Sequence, residues 1–150
     1  MKNKTILFVC TGNTCRSPMA ELILKNKLKK QGIAGYRVKS AGLTAKDGDK
    51  ISPNSRKALK LLGINVSGFK SRLCDVKTLL SSDLVICMTS SHKEKIKNYP
   101  WVYTLGELTG VGEIIDPYGQ DEKVYEKTMC QIEKGCNVLI NMIIKGEIQI

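Results

Sequence analysis

The sequence predicts an α/β fold: a mainly parallel sheet between two layers of helices, a three-layer α/β/α arrangement with four strand candidates. Three observations carry this expectation. Short apolar runs alternate with segments of helical periodicity, and several of these segments stop at Gly, Ser, Thr or Asn clusters. No repeat, low-complexity tract or proline-rich linker divides the 150 residues, so one domain over 1–150 is expected. At 42% apolar content a chain of this length can bury a sizeable core without staples. Right-handed crossovers then place a ligand site at the carboxyl ends of the strands.

Segment 5–10 (TILFVC) is a continuous apolar, partly β-branched run, as expected of a strand buried on both faces. It ends at Thr11-Gly12-Asn13. Ser17-Pro18 reads as a cap and first-turn proline, and Met19, Leu22, Ile23 and Leu28 recur near helical spacing until Gly32. Segment 36–40 alternates like a short strand. Ser52-Pro53 then opens a helix carrying Ala58, Leu59, Leu61 and Leu62, stopped at Gly63.

Segment 65–82 is polar and weakly patterned. Residues 83–88 (DLVICM) read as the third strand, followed by a lysine-rich helix over 90–98, and 101–105 (WVYTL) is the fourth strand candidate. After a loop through Asp116-Pro117-Tyr118-Gly119, a last helix from Asp121 onward is expected to present Val124, Ile132, Leu139, Ile140 and Ile143 on one face.

Composition narrows the functions. The five-residue apolar run 6–10 is too short for a signal-peptide core and no stretch approaches membrane-spanning length, so a cytoplasmic protein without membrane association is expected. Six cysteines in such a chain are expected to be reduced thiols. The net charge of +10 is spread along the chain and suits anionic, phosphorylated partners. With 5% aromatics and no nucleic-acid-binding signature, nucleic acid is not expected as a partner.

The chemistry concentrates in the loop Cys10-Thr11-Gly12-Asn13-Thr14-Cys15-Arg16-Ser17 between strand and helix. A phosphoryl group needs donors from several directions, and a tight loop entering a helix N-terminus turns backbone N–H groups inward. Gly12 and Asn13 tolerate the backbone geometry this requires. Arg16 adds a planar fork for two oxygens, and the positive field of a helix N-terminus and a cation favours a thiolate nucleophile at Cys10. Attack on phosphorus needs an acid for the leaving group and then a base for water. Asp116 is the candidate for both, in a loop after the last strand. Alone, Asp-Pro is an ordinary turn dipeptide; the C-x-x-x-x-x-R-S loop between strand and helix favours the catalytic reading.

Three stretches resemble the low-molecular-weight protein-phosphatase family: VCTGNTCRSPMAE over 9–21, Ser40-Ala41-Gly42, and DPYG over 116–119. The likeness spans nearly the whole chain. It implies a four-stranded parallel sheet flanked by helices, Cys10 as nucleophile, Arg16 as phosphate ligand, Asp116 as acid then base, and no metal or cofactor. It places Thr11, Gly12, Asn13, Thr14, Cys15, Ser17 and Tyr118 around the substrate, with Ser40 in support. Ser17 would donate to the Cys10 sulfur, and Tyr118 would form an aromatic wall. Cys15 is implied as a partner for a reversible disulfide with oxidised Cys10.

Tyrosine-directed members generally carry Ile or Leu where this chain has Thr14, and a second aromatic where it has Gly119; CTGNTCRS and DPYG resemble the arginine-directed bacterial members. Phosphorylated proteins, phosphoarginine before phosphotyrosine, are therefore the expected substrates. A threonine hydroxyl suits the N–H groups of a phosphoguanidinium, which an isoleucine would leave unpaired. The chain departs from the family at Phe69, where a histidine commonly steadies the loop asparagine. His92, in the lysine-rich segment, reads as a solvated surface residue without a role. Cys74, Cys87, Cys130 and Cys136 read as structural. Two rivals are a thioredoxin-coupled arsenate reductase, disfavoured because Cys87 has no nearby thiol partner in sequence, and a non-catalytic phosphoprotein-binding module, disfavoured by the joint presence of Cys10, Arg16 and Asp116.

Overall fold

A computed structural model describes residues 3–148 and 150. Ten elements follow one another: β1 (Lys4–Cys10), α1 (Arg16–Lys30), β2 (Tyr36–Gly42), α2 (Pro53–Lys60), α3 (Val76–Leu80), β3 (Leu84–Cys87), α4 (Ser90–Ile96), β4 (Val102–Thr104), α5 (Leu105–Thr109) and α6 (Glu122–Ile144). The sheet runs β2-β1-β3-β4, with every pair parallel. Among the described residues no helix is long and apolar enough to cross a membrane.

The alternation within β1 explains the layers. Ile6, Phe8 and Cys10 face a core shared with Met19, Ile23 and Leu24 of α1 and Ile132, Cys136 and Leu139 of α6. Leu7 and Val9 face the opposite core with Val85, Cys87, Leu79 of α3 and Ile96 of α4. A run that is apolar at every position is thus one that buries both pleated faces. The chain leaves β1 for β2 on one side, then crosses to β3 on the other, so the carboxyl end of β1 is the point where strand order reverses. Cys10 lies there, paired with Gly42.

Several boundaries differ from the sequence reading, each for a local reason. α1 begins at Arg16, with Cys15 as N-cap and no side chain capping it. Ser17, expected as the cap, lies inside the first turn. Ser52 does cap α2 by accepting from the Ser55 N–H, but Leu61 falls past the helix and is exposed.

Two short helices emerge where no helix was expected: α3, in the weakly patterned segment, capped by Asp75 accepting from Thr78 N–H, and α5, beginning at the last residue of the strand candidate 101–105 and opened by a capping box between Thr104 and Glu107. On α6 the buried face carries Tyr125, Met129, Ile132, Cys136, Leu139 and Ile140, while Val124 is more than a third exposed. At 100° per residue Val124 lies about 80° from Ile132, whereas Tyr125 lies within about 20° of it.

Candidate active site

Five residues, 11–15, carry the chain from the end of β1 into α1. Asn13 takes φ +56°, a left-handed conformation that asparagine tolerates better than most residues. The loop, with Arg16, Asp116 and Tyr118, encloses a cavity of about 220 Å³ with Cys10 among its walls. Gly42, where β2 ends beside the loop, has no room for a side chain: an added Cβ would stand 2.5 Å from the Thr11 carbonyl oxygen and 2.8 Å from Asn13 N. The close approach of the two backbones requires glycine there.

Buried hydrogen bonds set the direction of each proton. The Asn13 amide gives one hydrogen to Ser17 Oγ (2.8 Å) and the other to Ser40 Oγ (2.9 Å). Ser40 then donates to Glu21 Oε1 at 2.7 Å. Ser17, having accepted from Asn13, has its own hydrogen free for Cys10 Sγ at 2.8 Å. Asn13 Oδ1 accepts the Arg72 backbone N–H at 2.9 Å. The support that Phe69 cannot supply thus comes from Ser17, Ser40 and Arg72, and Phe69 instead packs against the core.

Arg16 is 5% exposed, its guanidinium held at both ends. Nη1 donates to the Ile114 carbonyl (3.0 Å), and Nη2 donates to Thr11 Oγ1 (3.3 Å) and lies 3.6 Å from Asp116 Oδ2. Ile114 is tied back to the end of β3, its N–H donating to the Met88 carbonyl. Gln131 of α6 donates to the carbonyls of Val111 and Glu113. The segment bearing Asp116 is therefore anchored to β3 and α6, with the half-exposed Asp116 carboxylate at the cavity mouth. Tyr118 stands 75% exposed on the rim, its N–H donating to Asp116 Oδ1 at 3.1 Å.

Thr14 lines the cavity, its Oγ1 3.8 Å from Cys15 Sγ. Cys15 is buried, with Ser52 Oγ at 3.5 Å and the Tyr125 hydroxyl at 3.4 Å. Burial, then the hydrogen bond with Cys15, pushes the Tyr125 phenol up to about 12. Every residue named from the sequence is therefore at the cavity or in its support, and Glu21, Arg72 and Ile114 join them. Arg72 and Ile114 contribute backbone groups far from any motif, so no pattern in the sequence pointed to them; Glu21 closes the 9–21 stretch, and its role shows only in the hydrogen bond it accepts from Ser40.

His92 is corrected. It is 4% exposed, at the first turn of α4, with Nε2 2.9 Å from Thr11 Oγ1 and Nδ1 2.9 Å from Thr89 Oγ1. Burial, then the nearby Arg16, lowers its pKa to about 4. The signal was positional: α4 opens directly after β3, at the same sheet edge as Cys10, so its first turn points back at the loop. Cys87 also gains a neighbour, since Cys74 packs against the cluster containing it. Burial pushes these thiols up to about 12 and about 11, so both are protonated at neutral pH, unlike the thiolates of a disulfide relay. Cys130, read as structural, is exposed, whereas Cys136 is buried.

Known proteins share this arrangement. The profile of the low molecular weight phosphotyrosine protein phosphatases matches residues 5–149. The protein-arginine-phosphatase of Bacillus subtilis (strain 168) is 38% identical over 136 residues, 86% of this chain and 89% of that protein. The low molecular weight protein-tyrosine-phosphatase PtpB of Staphylococcus haemolyticus (strain JCSC1435) is 36% identical over 132 residues, 85% of this chain and 91% of its own. The solved structure of the YwlE arginine phosphatase from Geobacillus stearothermophilus superposes with a TM-score of 0.87 at 34% identity, covering 96% of this chain and 95% of that one. A cysteine at the end of β1, a loop wrapped over it and matches along nearly the full length make this chain a member of the low molecular weight phosphotyrosine protein phosphatase family.

Proposed function

We propose that the protein is a cytoplasmic protein phosphatase that hydrolyses phosphoarginine side chains through a phosphocysteine at Cys10. The single observation that carries the reading is the Cys10–Ser17 contact of 2.8 Å beneath a cavity lined by the loop, Arg16 and Asp116. Ser17 donates to the sulfur and stabilises it as thiolate, both when it attacks and when it leaves. Backbone N–H groups of the loop and the Arg16 fork hold the three phosphoryl oxygens.

The Cys10 thiolate forms a bond to phosphorus while the bond from phosphorus to the guanidinium nitrogen breaks, and the Asp116 carboxylic acid gives its proton to the departing arginine. Asp116, now a carboxylate, takes a proton from water. That water attacks the phosphocysteine, the sulfur–phosphorus bond breaks, and inorganic phosphate leaves.

The preference for phosphoarginine rests on Thr14 in the cavity wall and on Gly119, which has φ +78° and no side chain to add a second aromatic beside Tyr118. A threonine hydroxyl can accept from a guanidinium N–H that isoleucine would leave unpaired. The relatives named as tyrosine phosphatases make phosphotyrosine the second reading.

Side-by-side kinetics on phosphoarginine and phosphotyrosine peptides test both levels. Cys10→Ser is expected to abolish turnover and keep phosphate binding; undiminished hydrolysis would exclude a phosphocysteine. Thr14→Ile is expected to invert the substrate order, and a wild-type preference for phosphotyrosine would overturn the phosphoarginine assignment.

A further inference from the structure

His92 is the one histidine in the chain, and its ring bridges two hydroxyls behind the loop. On one side Thr89 Oγ1, the N-cap of α4, meets Nδ1; on the other Thr11 Oγ1 meets Nε2 and also accepts from Arg16 Nη2. Thr11 itself lines the cavity over Cys10.

A neutral imidazole has one N–H and one bare nitrogen, so two arrangements satisfy these contacts. With hydrogen on Nδ1, Thr11 gives its hydrogen to Nε2 and turns only a lone pair toward the cavity. With hydrogen on Nε2, Thr89 donates to Nδ1 and Thr11 accepts from both His92 and Arg16. The Thr11 hydrogen then has no protein acceptor among the described residues and is left for an acceptor in the cavity that Thr11 lines. A phosphoryl oxygen there accepts hydrogen bonds and repels lone pairs, so an anion selects the second arrangement.

We propose that His92 is a positioning residue for the phosphate loop: its Nε2–H tautomer turns the Thr11 hydroxyl onto the phosphoryl group and, through the same oxygen, steadies the Arg16 guanidinium. Burial, ahead of the surrounding charges, keeps the ring neutral at ordinary pH. Burial, Arg16 and Lys95 lower its pKa, against the weaker opposing pull of Asp116 and Glu113. The inference rests on the phosphatase reading and deepens it.

Because the chain has a single histidine, the ring nitrogens of a ¹⁵N-histidine-labelled sample are assigned without ambiguity. With saturating inorganic phosphate, Nε2 is expected to show the protonated shift and Nδ1 the bare one; the reverse pattern overturns the proposal.

Kinetics supply the second arm. His92→Leu is expected to raise the inhibition constant of phosphate and lower kcat/KM by about tenfold, as for loss of a hydrogen bond to a charged group. His92→Gln, which keeps a donor for Thr11, is expected to recover most of that loss. In Thr11→Val the His92→Leu change is expected to add little, because both act on one hydroxyl. Additive losses, or a folded His92→Leu with wild-type phosphate inhibition, overturn the proposal. If the leucine variant fails to fold, the wild-type spectrum decides alone. Absence of wild-type turnover on both phosphoamino acids would instead overturn the phosphatase reading, while the tautomer with phosphate still reports on His92.

Discussion

Asn13 commits its whole side chain to the loop: both amide hydrogens go to serines and its carbonyl oxygen takes the Arg72 N–H, while its backbone sits at φ +56°. Asn13→Ala would leave the part-buried Arg72 N–H without its acceptor and keep a left-handed turn in a residue that resists it. It is expected to cost about 2–4 kcal/mol in denaturant unfolding and to lower kcat through misdirection of Ser17. Unchanged stability and kcat would show that the loop holds itself without this hub. At this scale the chemistry was plain in the sequence where it is contiguous, from Cys10 to Ser17. His92 was not, because a lone histidine among lysines carries no compositional mark of burial; its place just after β3 was the one hint, and its neighbours Thr11 and Arg16 are set only in space.

Elements position those residues by how closely backbones can approach. The carboxyl end of β2 touches the loop at Gly42, and α6 crosses α5 at Gly135, where an added Cβ would stand 2.9 Å from Leu105 Cδ2. The two glycines make a contrast. Gly42→Ala meets backbone atoms of the loop and is expected to displace it, lowering kcat/KM and costing about 1–3 kcal/mol. Gly135→Ala meets the far end of a flexible leucine and is expected to leave catalysis intact at a smaller stability cost. Comparable kinetics for the two variants would sever the link between the β2 end and the loop.

The short helices α3 and α5 show what a periodicity reading misses. Each is five residues long, fewer than two turns, so no apolar repeat can form. Their caps at Asp75 and Thr104 were the only available signals.

Across the whole molecule, His92 links the site to stability. Its unfolded imidazole binds a proton below about 6.5, the folded one only below about 4, so between these values the unfolded chain carries more protons. Stability is therefore expected to fall as pH drops from about 6.5 toward 4, by thermal melting, with a shallower slope in His92→Gln. Equal slopes would place the acid sensitivity elsewhere. The net charge of +10 is spread along the chain, yet the cavity's own charges are few: Arg16, buried and fixed, and Asp116 at the mouth.

The sequence by itself determined the alternation of strands and helices, the α/β/α layering and the loop with its cysteine and arginine. These depend on contacts between near neighbours, written as periodicity, turn residues and a contiguous motif. The tertiary structure decided how the loop is held: Ser40 meets Asn13 across 27 residues, Arg72 across 59, and His92 meets Thr11 across 81. Those meetings follow from strand order and register. The parallel β2-β1-β3 arrangement brings the carboxyl ends of three strands, far apart in the chain, around one cavity, and no local pattern encodes that distance.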